Sequence, residues 1–221
     1  MAYNKSYWDY QKRIGENYFH THLQAEKFSY LIHPEDSVLD FGCGGGYILN
    51  SLNCKQKVGI EINPHAQKQA KTFGIKIIES LENSKNEEFD VVISNSALEH
   101  VEYPLDILIK IYKVLKQNGK IIFSVPHEDL SYNFLINDIN QHLYTWSPMS
   151  FGNLIQKAGF EIISVKVTKY IQPPFARQIY NAFGLKGYKF FGRLYRVMRK
   201  LLTPIKRMGV SGDIIILAKK K

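Results

Sequence analysis

The 221-residue sequence lacks the features of secreted and membrane-spanning proteins. It has only two cysteines, Cys43 and Cys54, and they form no CxxC pair, which excludes a disulfide framework and a cysteine-based zinc site. No apolar run approaches the roughly 20 residues of a membrane-spanning helix. The first residues have neither the basic flank nor the apolar core of a signal peptide. We therefore expect a cytoplasmic protein.

Acidic residues are almost absent from the last quarter of the chain. Residues 162–221 contain 14 Lys and Arg but a single acid, Asp213, whereas residues 1–161 contain 15 basic and 19 acidic residues. The net charge of +9 therefore arises in the last quarter alone. Such asymmetry predicts an anionic partner for that segment, which could be phosphate, nucleic acid or a lipid surface.

Short β-branched apolar runs alternate with helical patterns along most of the chain. Such runs are typical of strands that a parallel sheet buries on both faces, and the alternation predicts a doubly wound α/β domain. The predicted strands are 37–41, 57–61, 75–79, 89–94, 120–125, 161–168 and 213–219. The predicted helices between them are 47–52, 64–73, 104–116 and 148–158. Three glycines follow predicted helices, where a left-handed ending favours glycine: Gly74, Gly119 and Gly159.

A glycine-rich turn follows the first predicted strand, in the segment Val38–Tyr47 (VLDFGCGGGY). Glycines let a ligand approach the backbone closely, and this turn lies at the carboxyl end of the strands, where ligands bind. A dinucleotide fingerprint would need a glycine at Tyr47 and an apolar residue at Asp40. A carboxylate at that place repels a pyrophosphate but suits a cationic ligand, such as an ammonium or a sulfonium.

This segment resembles motif I of the class I S-adenosylmethionine-dependent methyltransferases. Glu61 ends the second strand 21 residues after Asp40 and matches the acid that accepts hydrogen bonds from the ribose hydroxyls in that family. The phrase Leu98–Val101 (LEHV) and the helix ending in Ala158–Phe160 are similar to later motifs of the small-molecule, type 11/12-like branch. The resemblance covers about residues 35–168, together with 213–219.

The resemblance implies a Rossmann-like seven-stranded sheet with the last strand antiparallel, in a single domain spanning 1–221. Residues 1–35 would form a helical N-terminal lid, 36–168 and 213–221 the core, and 169–212 a basic helical insertion. The implied cofactor is S-adenosyl-L-methionine, with S-adenosyl-L-homocysteine as the product. The residues expected to bind it are Asp40, Gly42, Cys43, Gly44, Gly45, Glu61, Ile62, Glu79, Ser80 and Asn95.

Three histidines that follow predicted strands at the ligand-binding edge are candidate catalytic bases: His100, His127 and His142. Imidazole can accept a proton at neutral pH. His142 is the favoured candidate, because similar small-molecule methyltransferases often have a histidine there. A metal cluster of His127, Glu128 and His142 fits no standard ligand spacing, so no metal site is predicted.

The predicted reaction is methyl transfer to O or N of a small molecule, with a glycan or lipid precursor among the candidates. The motif of base-amine methylases is missing after the fourth strand, where Ser94–Ala97 stand, and neither cysteine follows a proline, as cytosine C5-methylases require. Two alternatives stay open: an RNA methyltransferase whose insertion contacts phosphates, and a non-catalytic cofactor-binding member of the fold. Asp40 and Tyr47 disfavour a nucleotide-dependent oxidoreductase.

The insertion contains a predicted basic amphipathic helix over Tyr188–Leu202, with apolar residues at helical spacing. Its other side carries Lys189, Arg193, Arg196 and Lys200. Through residues 175–207 the protein could lie on an anionic membrane surface, as a peripheral protein at the inner membrane face. The same residues could instead bind a phosphorylated acceptor or cover the substrate pocket. Nothing in the sequence predicts the oligomeric state.

Overall fold

The computed structural model describes residues 5–127, 134–136, 138–169, 172–202 and 212–221. A seven-stranded sheet lies at its centre, in the order β3-β2-β1-β4-β5-β7-β6. The strands are β1 (Ser37–Phe41), β2 (Gln56–Ile60), β3 (Lys76–Ile78), β4 (Phe89–Asn95), β5 (Leu115–His127), β6 (Glu161–Lys169) and β7 (Gly212–Lys219). β7 runs antiparallel to both of its neighbours, and β1 to β5 pair in parallel. The predicted sheet and its antiparallel last strand are confirmed.

Helices cover both faces of the sheet, because successive side chains of a strand point to opposite faces. Leu39 packs on one face with Leu108 and Phe151, while its neighbour Val38 packs on the other with Phe28 and Leu49. All six are fully buried. The helices are α1 (Lys5–Gly15), α2 (Tyr18–Ser29), α3 (Tyr47–Ser51), α4 (Pro64–Thr72), α5 (Pro104–Val114), α6 (Pro148–Lys157) and α7 (Ala176–Leu202). The described part of the N-terminal segment 1–35, called the lead-in below, thus contains two helices, as the sequence predicted.

Side-chain caps fix where α4 and α6 begin. Oδ1 of Asn63 accepts a hydrogen bond from the backbone N–H of His65 at 2.9 Å. Oγ of Ser147 accepts one from the backbone N–H of Ser150 at 3.0 Å. In both helices a proline follows the cap, where its missing N–H costs no hydrogen bond. These caps satisfy backbone N–H groups in the first turn of each helix and so fix its first residue.

Two of the three predicted glycine helix ends are confirmed, and one is wrong. Gly74 and Gly159 follow α4 and α6 with φ of 73° and 103°. Gly119 does not end a helix, because α5 has already ended and Asn118 takes the left-handed conformation instead, with φ of 62°. Glycine is needed at 119 for close packing, since a Cβ there would lie 2.8 Å from the carbonyl oxygen of Lys116.

Helix α7 is longer than predicted. It begins at Ala176 rather than Tyr188, and it contains a break at Gly184, where φ is 61° and ψ is −167°. Since β6 runs parallel to β5, α7 leaves the sheet at the same edge as the glycine-rich turn. The parts of the insertion at 170–171 and 203–211 lie outside the described residues.

Candidate functional site

The loop between β1 and α3 leaves an open space beside its backbone. Gly42, Gly44 and Gly46 have φ of 76°, 53° and 76°, a conformation that side chains disfavour. A Cβ on Gly42 would lie 2.4 Å from the Cβ of Ala97, so packing also excludes a side chain there. A Cβ on Gly44 would meet no atom within 4 Å. Gly44 therefore faces a cavity in which a ligand can approach the main chain.

Two carboxyl groups lie beside this loop, from Asp40 near the end of β1 and Glu61 directly after β2. The Glu61 carboxylate accepts hydrogen bonds from the backbone N–H groups of Gly44 at 2.8 Å and Asn63 at 2.7 Å. Asp40 is buried, and that burial, together with the charge of Glu61, raises its pKa to about 8. Burial also raises the pKa of Glu61, against its backbone hydrogen bonds. A cationic ligand would relieve both shifts, whereas a pyrophosphate would increase them.

A cavity of about 1280 Å³ extends from this loop along the carboxyl ends of the strands. His100 and His142 line it, whereas His127 is not among its lining residues and pairs with Gly212 between β5 and β7. Glu128, which the sequence grouped with His127, lies outside the described residues. All residues predicted to bind the cofactor line the cavity: Asp40, Gly42, Cys43, Gly44, Gly45, Glu61, Ile62, Glu79, Ser80 and Asn95.

Glu99, His100 and His142 meet inside the cavity. The ring centroids of the two histidines are 4.8 Å apart, and Nε2 of His142 lies 4.0 Å from Oε1 of Glu99. The backbone carbonyl of Glu99, a fully buried residue, accepts hydrogen bonds from the N–H groups of Leu143 and Tyr144 at 2.9 and 3.3 Å. These bonds hold the loop that carries His142. Burial and the neighbouring His142 lower the pKa of His100 to about 4, so His100 is uncharged at neutral pH.

This cluster of Glu99, His100 and His142 has two chemical uses. Each residue offers one ligand atom, and these atoms lie within 4.8 Å of one another, so the set could hold a divalent cation. The sequence predicted no metal site, and that statement stays a prediction. The His142 imidazole, with the Glu99 carboxylate beside it, can also accept a proton from a bound hydroxyl group.

A buried cation from α2 lies beside this cluster. The Lys27 ammonium donates hydrogen bonds to Oδ1 of Asn95 at 2.9 Å and to Oγ of Ser124 at 3.1 Å. It also forms an ion pair with Asp213 of β7, and the two side chains are only 9% and 5% exposed. Burial lowers the pKa of Lys27, while Asp213 opposes that shift. The ion pair joins the lead-in to the last strand across 186 positions of sequence.

Helices from the lead-in and the insertion enclose the cavity. Trp8 of α1 lies over the glycine-rich loop, since a Cβ on Gly45 would be 2.9 Å from its ring. Tyr188 and Arg196 of α7 line the cavity, and the ring of Tyr188 packs against Phe19 of α2 with centroids 5.3 Å apart. Both segments thus contribute to the walls of the cavity, and the lid role of the first stays a prediction.

Residues 10–165 match a family model described as a methyltransferase domain. The chain belongs to this methyltransferase family. It is 31% identical over 172 residues to an uncharacterised protein of Methanocaldococcus jannaschii, a match that covers 74% of this chain and 82% of that protein. It is 30% identical over 123 residues to the ubiquinone biosynthesis O-methyltransferase of Idiomarina loihiensis, covering 50% of this chain and 51% of that enzyme. The chain therefore spans about half the length of the latter relative.

Solved structures show the same fold. A methyltransferase of Thermotoga maritima, described as a possible histamine N-methyltransferase, superposes with a TM-score of 0.64 at 21% identity, covering 96% of this chain and 95% of that one. A putative methyltransferase of Bacillus halodurans gives 0.62 at 18% identity, covering 90% and 97%. The predicted class I architecture is confirmed.

The methyltransferase is S-adenosyl-L-methionine-dependent, as the sequence predicted. The site fits this cofactor, because the sulfonium and ammonium groups are cationic and the paired carboxyl groups of Asp40 and Glu61 favour a cation. The open space at Gly44 leaves room for the ligand beside the backbone. Among the described residues, no helix is both long and apolar enough to cross a membrane.

The sequence-based reasoning missed three residues of the cavity: Lys27, Glu99 and Asp213. One signal for Lys27 was present, because His20, Gln24 and Lys27 are spaced to share one face of α2, and all three line the cavity. Burial and the charge of Lys27 lower the pKa of His20. No spacing pattern in the sequence indicated Asp213, because β7 comes close to α2 only in the folded sheet.

Proposed function

We propose that this methyltransferase transfers the methyl group of S-adenosyl-L-methionine to a hydroxyl oxygen of a small, hydrophobic acceptor. The observation that carries the proposal is the pairing of His142 with Glu99 in the cavity that also contains Asp40 and Glu61. A hydroxyl group loses a proton when it is methylated, so it needs a base within reach. A primary or secondary amine that binds uncharged has no such need before attack.

Residues at one end of the cavity would bind the cofactor, and residues at the other end would bind and deprotonate the acceptor. Bound S-adenosyl-L-methionine supplies a methyl group activated by positively charged sulfur, and Asp40 and Glu61 would hold that cofactor. His142 accepts the proton of the acceptor hydroxyl, and Glu99 stabilises the imidazolium that results. Lys27 holds the side chain of Asn95 in place through its hydrogen bond. Positioning of donor and acceptor supplies much of the rate enhancement in such a substitution.

The acceptor class follows from the walls of the cavity. Tyr7, Trp8, Leu23, Tyr30 and Tyr188 line it, and such aromatic and aliphatic walls suit an aromatic or lipid-like molecule. The relatives named ubiquinone biosynthesis O-methyltransferases support the same choice, although this chain matches them over about half their length. Of the glycan and lipid precursors that the sequence left open, the lining favours the lipid.

The test is transfer of a labelled methyl group to matched acceptors that present a phenolic hydroxyl, a sugar hydroxyl or an amine. We expect label on the phenolic hydroxyl, and a fall in kcat of roughly 100-fold or more in H142Q, the effect expected when a general base is lost. Cofactor affinity, measured by calorimetry, should not change. The control is H33Q, an exposed histidine outside the cavity lining.

Transfer to amines alone, or an H142Q variant as active as the wild type, would contradict the proposal. Because Glu99, His100 and His142 could also hold a cation, the assay is run with and without added Mg²⁺. Loss of activity in H142Q that added Mg²⁺ fully restores would assign His142 to metal binding instead of proton transfer.

A further inference from the structure

Helix α7 has two sides with different surroundings. Its inner side contains Tyr180, which is buried, and Tyr188, which lines the cavity. Its outer side carries Phe190, Leu194 and two further apolar residues, an outer apolar strip that is 48–64% exposed: Phe190, Leu194, Val197 and Met198. The spacings of three and four residues align these side chains along one side of the helix. The apolar face predicted from sequence is thus divided between the cavity and the solvent.

A row of basic residues runs beside the outer apolar strip. These residues recur at spacings of three, four and three and are all exposed: Lys186, Lys189, Arg193 and Arg196. No acid occurs anywhere in Ala176–Leu202. Lys189 forms an ion pair with Glu26 of α2, at 2.8 Å. The outer side of α7 therefore combines apolar side chains with a flank of one charge.

We propose that the outer side of α7 docks on an anionic phospholipid bilayer. A helix with an apolar strip and a basic flank lies in the plane of a membrane interface, with its apolar side chains among the acyl chains and its cations at the headgroups. The proposal goes beyond the methyl-transfer activity. Its corollary, that the acceptor is taken from the bilayer, rests on the proposed function.

The composition of this surface favours a bilayer over nucleic acid or a second copy of the chain. Three of the four residues of the outer apolar strip, Leu194, Val197 and Met198, offer neither hydrogen bonds to phosphates nor rings for base stacking, and Phe190 is the one ring among them. In a symmetric dimer through this side, the basic row of one copy would lie close to that of the other, because such an interface joins the same patch of both subunits. Like charges at close range oppose that pairing.

The location of α7 connects the docking surface to the site. Tyr188 and Arg196 line the cavity, and Arg196 is also the last residue of the basic row, whereas Val197 next to it belongs to the outer apolar strip. The cavity is thus separated from the docking surface by one helix, whose diameter with side chains is about 10–12 Å. A lipid-like acceptor would then have a short path from the bilayer to His142.

The experiment is co-sedimentation of the protein with vesicles of phosphatidylcholine alone and with vesicles that also contain phosphatidylglycerol. One variant, L194S/V197S, removes apolar side chains, and a second, K186Q/R193Q, removes charge. None of these four residues lines the cavity. The control is I109S, which removes an exposed aliphatic residue of α5. Calorimetric binding of S-adenosyl-L-methionine verifies that every variant is folded.

We expect the wild type and I109S to bind the anionic vesicles and not the neutral ones, and each double variant to bind at least tenfold more weakly. Equal binding to both vesicle types, or no binding, would overturn the proposal. So would tight binding of a single-stranded RNA that K186Q/R193Q weakens while vesicles are not bound.

A second readout separates this inference from the proposed function. L194S/V197S should lower methyl transfer to a phenolic acceptor embedded in anionic vesicles, but not to a water-soluble phenol. Loss of transfer to both acceptors would contradict the corollary. Absence of phenol methylation in the wild type, with vesicle binding intact, would reject the proposed function and leave the docking surface standing.

Discussion

The two ends of the cavity are assembled from the chain in different ways. The cofactor end comes largely from one short stretch, in which β1, the glycine-rich loop and β2 supply Asp40, Gly44 and Glu61. The proposed acceptor end joins α2 to the loop after β5, to α7 and to β7, so that Lys27 meets Asp213 across 186 positions. The cofactor end therefore depends on local sequence, and the acceptor end depends on the completed fold.

The largest effect should come from breaking the acceptor end. K27M removes the buried cation and leaves Asp213 without it, so we expect the free energy of unfolding to fall by about 3–5 kcal/mol. The double variant K27M/D213N should recover most of that loss, because neither partner then keeps an isolated charge. Chemical denaturation measures both values. A K27M protein as stable as the wild type would show that the acceptor end does not depend on this pair.

The next largest effect concerns the cofactor end. D40A should weaken binding of S-adenosyl-L-methionine by about 10- to 100-fold, the cost of losing a charged hydrogen-bond partner at roughly 1.5–3 kcal/mol. The fold should be retained, and calorimetry gives the dissociation constant. E35A, which removes a well-exposed carboxylate, is the matched control and should bind as the wild type does. Equal affinities for D40A and E35A would remove Asp40 from the cofactor site.

The smallest effect is a pH dependence confined to the cofactor end. The pKa of Asp40 is about 8 in the ligand-free protein, so below pH 8 the carboxyl group is mostly protonated and must lose its proton to attract a cation. Affinity for S-adenosyl-L-methionine should therefore rise with pH between about 6 and 8 and level off above 8, and the total rise should not exceed the loss in D40A, because Asp40 is the group that titrates. D40N should bind with little dependence on pH. A wild-type affinity that falls as the pH rises would contradict the prediction that ionised Asp40 attracts the cofactor.

The residues of the cofactor end can be predicted from the sequence more easily than those of the proposed acceptor end, for a physical reason. Asp40 and Glu61 lie at the ends of adjacent strands, and the glycines between them are required by backbone geometry, so their pattern is visible in a linear chain. His127 shows the opposite case. It follows a predicted strand, but β5 continues through it, and it pairs with Gly212 away from the cavity lining. Where a strand ends decides which side chain reaches a site, and a sequence pattern sets such an end only to within a few residues.

Packing explains the remaining differences between the sequence-based predictions and the structure. Gly119 satisfies the sequence rule for a helix end, yet its role is to avoid the carbonyl oxygen of Lys116 in a tight turn. The apolar positions of α7 follow helical spacing, but the spacing alone does not show that Tyr188 faces the cavity while Leu194 faces outward. Gly119 is constrained by its own turn and by the carbonyl oxygen of Asp90 in β4, and the two sides of α7 are set by neighbours that are remote in the sequence.

The ion pair of Lys27 with Asp213 has a consequence for synthesis of the protein. Lys27 emerges from the ribosome early, whereas Asp213 belongs to the strand that inserts last between β5 and β6. Until β7 arrives, the edges of β5 and β6 are unpaired and the Lys27 ammonium lacks its counter-ion. A nascent chain can thus form the glycine-rich loop well before it can complete the part of the cavity that Lys27 and Asp213 line. The ion pair of Lys27 with Asp213 therefore forms only after β7 has paired with β5 and β6.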